Sequence, residues 1–285
     1  MVSFTSILPA RFRKDVTVIP VVRLSGAIMS GGNQFRPNLN IATAAPLLAR
    51  AFDDKKAPAV AIMLNSPGGS PVQSRLIYKR IRDLAEEKNK KVLVFVEDVA
   101  ASGGYMIACA GDEIFADPSS VVGSIGVISA GFGFTGLIDK IGVERRVYTA
   151  GENKSLLDPF KPEKAEDVAR LKELQLEIHK VFIDLVKQSR GARLKDDPEL
   201  FTGQFWTGIR GKELGLVDDL GDLRSTLRAR YGDKVKLRLV SPQRGFLGRR
   251  VPGVAAGLSA GALAGIAEAG LNVIDERALW ARYGL

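Results

Sequence analysis

Short apolar runs alternate with helical patterns along most of the chain. Three β-branched-rich runs bounded by Gly, Pro or Asp predict buried strands at Val16–Leu24, Ala59–Asn65 and Val92–Glu97. Between them, apolar residues recur at helical spacing in Ile41–Phe52 and Val72–Glu87. Strands that alternate with helices predict an α/β fold, with βαβ units arranged around a largely parallel sheet.

The second half of the chain contains one long amphipathic pattern and then a change of composition. Pro162–Arg190 predicts a long helix with an apolar stripe formed by Leu171, Leu174, Ile178, Val181, Phe182 and Leu185. A smaller α/β closure is predicted over Gly211–Tyr231 and Val235–Val240, and the Ser-Pro-Gln-Arg-Gly sequence from Ser241 is typical of a boundary. We therefore predict an N-terminal extension over 1–15, one main domain over 16–240 and a helical tail over 241–285.

The predicted tail is rich in Ala and Gly, and Gly253, Gly257, Gly261 and Gly265 recur at every fourth position. Small residues at this spacing allow helices to pack closely. The uncharged run is short and is interrupted by Glu268, which favours a helix packed on a neighbouring subunit and leaves membrane contact as the alternative. We identify no signal peptide, and no run of about 18 to 20 apolar residues that would span a membrane.

Composition narrows the possible partners. The 285 residues are 46% hydrophobic and 26% charged, which is typical of a soluble globular protein. The net charge is +9, but the basic residues are scattered and no nucleic-acid motif organises them. We expect no nucleic-acid partner and a peripheral affinity for acidic lipid. A single cysteine excludes an intramolecular disulfide, and without Cys/His clusters no structural zinc site is expected.

A serine followed by two glycines stands near the end of the third predicted strand. Ser102 opens a predicted helix, Gly103–Ala110, and serine is also an ordinary N-cap residue. Two glycines are poor choices for a first helical turn, but they let the backbone offer N–H groups to an oxyanion. One βα unit earlier, the Asn-Ser-Pro-Gly-Gly-Ser sequence has the same architecture, and the amide of Gly68 or Gly69 is a candidate second donor. A capped loop stays an alternative in both places.

A serine hydroxyl is a weak nucleophile unless a base removes its proton. The single histidine, His179, lies in the long predicted helix and is interpreted as a helix-surface or packing residue. A lysine is the remaining class of base, and its ordinary pKa of about 10.4 would have to fall to about 7–8 through burial and positive neighbours. Lys154 is a candidate because it follows a predicted strand, Glu144–Thr149, across a glycine turn, although most such lysines are solvated.

Five motifs in order resemble the signal peptide peptidase A family of Ser-Lys proteases, whose fold is similar to that of ClpP and crotonase enzymes. The resemblance covers roughly residues 16–240 and rests on NSPGGS from Asn65, ASGGY from Ala101, GSIGV from Gly123, the loop of Lys154, and FWTG from Phe205 with Lys212–Asp218. It implies ClpP/crotonase-like repeated ββα units with a mainly parallel sheet flanked by helices. It also implies these roles: nucleophile, Ser102; general base, Lys154; lysine-orienting serine, Ser124; oxyanion donors, Gly103 and the Gly68-Gly69 turn.

The same resemblance implies a function and a setting. The expected substrate is a hydrophobic peptide such as a remnant signal peptide, and no metal or cofactor is expected. A homo-oligomeric ring or dome is expected, in which neighbouring copies can complete the dyad. The expected location is at the bacterial inner membrane or in the cytoplasm.

Three other functions are compatible with parts of the sequence. The first is an oxidoreductase, because Gly131–Gly136 matches the dinucleotide fingerprint G-x-G-x-x-G after a strand-like run, Ile125–Ala130. This fingerprint, however, normally opens the first βαβ unit of a sheet. A crotonase-like acyl-CoA enzyme would share the oxyanion amides without a lysine base. A non-catalytic scaffold of the same fold, acting as an oligomeric membrane-protein partner, is the third alternative.

Overall fold

The computed structural model describes residues 16–31, 38–241 and 277–285 of the chain. Eight strands in these ranges form one sheet: β1 (Val18–Ser25), β2 (Ala59–Ser66), β3 (Lys91–Ala101), β4 (Glu113–Ala116), β5 (Val121–Gly123), β6 (Phe205–Thr207), β7 (Asp219–Leu220) and β8 (Lys236–Leu239). The sheet order is β6-β5-β3-β2-β1-β8, with β4 paired to β3 and to β7. All pairs are parallel except β5 with β6. The predicted mainly parallel α/β fold is confirmed.

Helices cover both faces of the sheet. They are α1 (Ile41–Phe52), α2 (Pro71–Glu87), α3 (Gly103–Ala108), α4 (Thr135–Lys140), α5 (Ala165–Arg190), α6 (Gly208–Glu213) and α7 (Leu223–Tyr231), with a short 3-10 turn at Gly191–Arg193. Alternate residues of β1 enter two cores: Val22 and Leu24 pack in the larger one, and Ile19 and Val21 pack with Leu227 of α7 in the smaller one. Strands buried on both faces explain the nearly continuous apolar runs of the sequence.

Local capping fixes where the first two helices begin. The Asn40 side chain accepts a hydrogen bond from the Thr43 N–H, and Thr43 Oγ1 accepts one from the Asn40 N–H, so a capping box starts α1 at the predicted residue. Ser70 caps α2 by accepting from the Gln73 N–H, and Pro71 occupies its first position. The glycine turn before Ser70 is therefore held at its end by an ordinary helix cap.

Two predicted strands are absent from the described residues, and one helix differs from its pattern. Ile125–Ala130 and Glu144–Thr149 are irregular, because neither segment pairs with a strand of the sheet. Helix α5 begins at Ala165, not at Pro162, and Leu174 of its predicted stripe is 53% exposed. The buried part of α5 starts at Phe182, where the helix reaches the larger core.

The end of one strand and the end of one helix differ from the predicted residues at the junction of β3 and α3. Strand β3 extends past the predicted end at Glu97 to Ala101, and α3 ends at Ala108 before the predicted Ala110. Ser102 therefore joins β3 directly to α3. The predictions for 1–15 and for the Gly-rich part of the tail lie outside the described residues. Within the described part of the chain, no helix combines the length and apolar character needed to cross a bilayer.

Candidate active site

Ser102 sits in a strained backbone conformation between β3 and α3. Its φ is 52° and its ψ is −124°, a combination that a non-glycine residue adopts only when its surroundings hold it there. Its N–H donates to the Gly123 carbonyl at 2.8 Å, and its carbonyl accepts from the Met106 N–H at 3.1 Å. Although Ser102 precedes a helix, its side chain makes no capping hydrogen bond. Ser102 instead lines a cavity of about 610 Å³.

Gly69 and Gly103 both line this cavity, and the hydrogen bonds of the glycine turn show which of its amides is free of a backbone partner. The Ile28 N–H donates to the Gly68 carbonyl at 2.8 Å and the Ser70 N–H donates to the Ile28 carbonyl at 2.7 Å, as in a parallel bridge. In such a bridge the N–H of the middle residue, Gly69, points away from the partner strand. The Gly68 N–H is already used, because it donates to Ser66 Oγ at 3.2 Å.

Gly103 supplies the second of these amides. It is the first residue of α3, and the first N–H groups of a helix have no partner within the helix. Both Gly69 and Gly103 line the cavity that contains Ser102. Of the predicted oxyanion donors, Gly69 and Gly103 line the cavity, whereas Gly68 does not and its N–H is bonded to Ser66 Oγ.

Close backbone approach explains why these positions are glycines. A Cβ added to Gly69 would lie 2.1 Å from the Ile28 carbonyl oxygen, and one added to Gly103 would lie 2.3 Å from Ser74 Oγ. A Cβ added to Gly68 would lie 2.7 Å from Ser102 Cβ. The two loops therefore touch through their backbones, and side chains there would separate them.

Ser124 leaves the neighbouring strand beside Ser102. The register of β3 and β5 pairs Ala101 with Gly123, so the next residue of each strand emerges at the same edge of the sheet. Ser124 also has a positive φ of 52°, and its N–H donates to the Gln204 carbonyl at 2.7 Å. The predicted nucleophile and the predicted lysine-orienting serine thus open onto one cavity.

The single histidine also lines this cavity, which the sequence analysis did not predict. His179 Nε2 lies 2.9 Å from the Ile125 carbonyl oxygen, so Nε2 carries a proton and donates it. The bond ties α5 to the loop of Ser124. The position of His179 between Ile178 and Phe182 of the predicted apolar stripe was the available signal, since both neighbours line the cavity.

Lys154 lies elsewhere. It is exposed in the turn after Gly151, and it does not line the cavity of Ser102. Its loop belongs to an exposed part of the chain, 126–160, that contributes no strand to the sheet. A single described copy therefore brings together Ser102, Ser124, Gly69 and Gly103, and leaves the predicted base outside.

Buried polar groups connect α3 and α5 to the segment that precedes β7. The Tyr105 hydroxyl donates to the Leu216 carbonyl at 2.8 Å, and burial raises the pKa of Tyr105 well above its usual value. Arg190 is buried and its Nη1 lies 2.8 Å from Asp218 Oδ2. Burial raises the pKa of Asp218, but hydrogen bonds from Arg190 and from the Ile114 N–H outweigh it, so the net pKa is lowered.

Neither a metal site nor a dinucleotide site is present among these residues. The described ranges contain no group of three or more His, Cys, Asp or Glu side chains that could hold a metal ion. Gly131–Gly136 follows no strand and runs into α4, a helix of only six residues. The fingerprint therefore lacks the strand–turn–helix context that a pyrophosphate site needs.

A mostly parallel sheet flanked by helices, with two glycine-rich loops meeting at one strand edge, defines the ClpP/crotonase-like class of fold. The model of Peptidase family S49 matches residues 85–237. The chain belongs to peptidase family S49.

A relative named as a protease agrees with this assignment, and a solved structure has a similar fold. A putative protease of Synechocystis sp. is 31% identical over 238 residues, covering 81% of this chain and 82% of its own length. A solved membrane-bound stomatin-specific protease, 1510-N, in complex with a substrate peptide, is 17% identical with a TM-score of 0.51, covering 80% of this chain and 94% of its own. This likeness shows the fold.

A more similar relative has a different name. A Brucella abortus protein named Na(+)/H(+) antiporter NhaA is 64% identical over 285 residues, covering 98% of this chain. The match covers 38% of that relative, and the same holds for the Brucella melitensis protein of the same name. The chain thus spans about two fifths of the length of these relatives.

Proposed function

We propose that this chain is a serine endopeptidase that hydrolyses hydrophobic peptides, remnant signal peptides among them, with Ser102 as nucleophile and Lys154 as general base. The observation that carries the proposal is the strained Ser102 beside two N–H groups, those of Gly69 and Gly103, that have no partner within their own elements. Membership of peptidase family S49 and relatives named as proteases support it.

The proposed reaction is an acyl transfer. Ser102 Oγ attacks the scissile carbonyl carbon while the neutral amine of Lys154 takes the hydroxyl proton. The N–H groups of Gly69 and Gly103 stabilise the oxyanion, and such a donor contributes roughly 3–4 kcal/mol in a serine protease. The lysine then gives its proton to the leaving amine, which leaves an ester on Ser102. Water deprotonated by the lysine hydrolyses this ester, and no metal or cofactor takes part.

Apolar walls support a hydrophobic peptide as the substrate. Met106 of α3 and Ile178 and Phe182 of α5 line the cavity next to Ser102. A peptide bound with its scissile carbonyl between Gly69 and Gly103 would place an adjacent side chain against these residues. Burial of an apolar side chain there contributes about 25 cal/mol per Å² of buried apolar surface.

A neighbouring copy supplies the lysine in this proposal. The part of the chain that carries Lys154 exposes large apolar side chains, among them Phe132 at 80% and Tyr148 at 92% exposure. Phe132 lies next to Phe134, with ring centroids 6.3 Å apart, and an exposed apolar patch is typical of a protein contact. Docked on the next protomer of a ring or dome, this part would bury Lys154 beside the neighbour's Ser124, where desolvation favours the neutral amine. Peripheral association with the inner membrane completes the proposal.

One observation favours a second candidate, a non-catalytic domain within a larger membrane protein. The chain matches about two fifths of relatives named as antiporters. A serine-directed fluorophosphonate probe separates the two candidates, because it labels only an activated serine. Labelling of the wild type that disappears in Ser102→Ala supports the peptidase, and absence of labelling in the folded wild type supports the scaffold.

Mixing two inactive variants tests how the dyad is assembled. Ser102→Ala and Lys154→Ala are each expected to lack peptidase activity. If the dyad forms between copies in a heterologous ring, random mixing restores about a quarter of the wild-type sites. Subunits are exchanged before the assay, and a mixture of Ser102→Ala with a double variant, Ser102→Ala/Lys154→Ala, serves as control. No recovery in exchanged oligomers would contradict assembly between copies.

A further inference from the structure

Residues 277–285, called here the covering segment, contribute to the lining of the cavity. The segment is helical over 277–281 and then turns, with the Tyr283 N–H donating to the Trp280 carbonyl at 2.9 Å. Leu279, Arg282 and Tyr283 line the same cavity as Ser102. The segment therefore contributes part of the wall around the candidate nucleophile, although it is more than 150 residues away in sequence.

Tyr283 makes the contacts that fix this arrangement. Its ring meets Phe205 of β6 edge to face, with centroids 5.2 Å apart and an interplanar angle of 78°. Its hydroxyl donates to Ser124 Oγ at 3.2 Å. An aromatic pair and a hydrogen bond are individually weak, so this contact can exchange with another partner of comparable strength.

Tyr283 contacts Ser124, the same residue that is proposed to orient the lysine. In the proposed reaction Ser124 orients the lysine amine, and the amine has to reach Ser124 and Ser102 from the cavity side. In the described chain the Tyr283 phenol occupies the cavity side of Ser124, and Lys154 is outside the cavity. A lysine that arrived in this conformation would meet the phenol.

We infer that the covering segment is an intramolecular inhibitor, which holds Ser124 through Tyr283 until a lysine displaces it. The inhibition of catalysis rests on the proposed function, whereas the occupancy of Ser124 does not. Docking of a neighbouring copy, with its lysine directed at Ser124, supplies the competing contacts. An isolated copy is therefore inactive for two reasons: it lacks the base, and its covering segment occupies the place where the base binds.

A cysteine at position 124 reports how accessible this position is to a reagent, and the measurement does not require catalysis. The single natural cysteine, Cys109, is buried, and burial raises its pKa to about 12, so it stays unreactive at neutral pH. In Ser124→Cys, iodoacetamide then reports access to position 124 alone. We expect Ser124→Cys/Tyr283→Ala to react at least about fivefold faster than Ser124→Cys, because the phenol next to position 124 and its ring contact with Phe205 are removed. Arg277→Ala in the same background is the matched control, since Arg277 is exposed and does not line the cavity.

Equal alkylation rates in Ser124→Cys with and without Tyr283→Ala would overturn the inference. Labelling of Ser102 by a fluorophosphonate then tests the consequence for reactivity. Tyr283→Phe keeps the ring on Phe205 and removes the hydroxyl, and we expect labelling about three- to tenfold faster than in wild type. Slower labelling would overturn the inhibitory role, because it would make Tyr283 a positioning residue for Ser124. If every folded variant stays unlabelled, the proposed peptidase is wrong, and the alkylation rates still decide the occupancy.

Discussion

The loops around Ser102 and the part of the chain that carries Lys154 are packed in opposite ways. A methyl group added at Gly69 would overlap the backbone of Ile28, whereas one added at Gly133 would have no heavy atom within 4 Å. The first region lies at a strand edge of the sheet, and the second is exposed and pairs with no strand. In the proposed reaction, one chain therefore holds the oxyanion donors in place, and the base would have to be positioned by a contact.

The largest expected effect is on turnover and leaves the fold intact. Lys154→Arg keeps the positive charge but removes a group that can become a neutral base, so we expect kcat near neutral pH to fall roughly 10²- to 10⁴-fold. Because Lys154 is exposed, the free energy of unfolding should change by less than about 0.5 kcal/mol. Peptide hydrolysis and urea unfolding measure the two quantities. Lys161→Arg, at an exposed lysine immediately after this part, is the control, and equal turnover in both variants would contradict the base assignment.

In the packed region behind Ser102, a substitution is expected to lower the free energy of unfolding. Asp218→Asn leaves the buried Arg190 without its ionic partner, and breaking a buried ion pair costs about 3–5 kcal/mol. Urea unfolding at pH 7 measures this loss. A change below about 1 kcal/mol would show that Arg190 finds another partner.

The sign of the pH effect follows from the direction of the pKa shift at Asp218. Its net pKa is lowered in the folded protein, since hydrogen bonds from Arg190 and Ile114 outweigh the opposing effect of burial. Its stabilisation is therefore complete above the ordinary carboxyl pKa of about 3.9 and is lost as the pH falls below that value. Over this acid range the unfolding free energy of Asp218→Asn should fall less steeply than that of wild type.

A pair of glycine substitutions compares the two regions directly. Gly69 has a φ of 137°, and an added Cβ would lie 2.1 Å from the Ile28 carbonyl oxygen. We expect Gly69→Ala to destabilise the protein by about 2–3 kcal/mol and to remove activity, because the loop has to move. Gly133→Ala should change stability by less than about 0.5 kcal/mol. Thermal unfolding of both variants checks the contrast, and similar losses would refute it.

The smallest expected effect concerns His179, which ties α5 to the loop of Ser124. His179→Phe keeps a ring and removes the donor to the Ile125 carbonyl, so we expect kcat/KM to fall about three- to tenfold. His179→Gln retains an N–H donor and should recover part of this loss. If both variants behave like wild type, the histidine only fills space.

Prediction from the sequence was accurate where local pattern and long-range packing agree. The residues of α1 were predicted to their bounds because a capping box and an amphipathic stripe coincide there. The glycines at 69 and 103 were recognisable because few other residues allow such backbone approach.

Prediction was wrong where an apolar run lacks a partner. Glu144–Thr149 resembles a strand in composition, but no strand of the sheet pairs with it. The contact between Tyr283 and Ser124 joins residues 159 positions apart, and no local pattern encodes such a distance. The position of His179 in the cavity depends in the same way on where α5 crosses α3.

Ser102 and Ser124 directly follow the paired residues Ala101 and Gly123. The hydrogen bonds between β3 and β5 therefore position both hydroxyl groups. Thermal bending of the sheet would carry both oxygens together and change the gap between them little. In the proposed reaction, an amine that is aligned with one of these serines would therefore come into alignment with the other through the sheet.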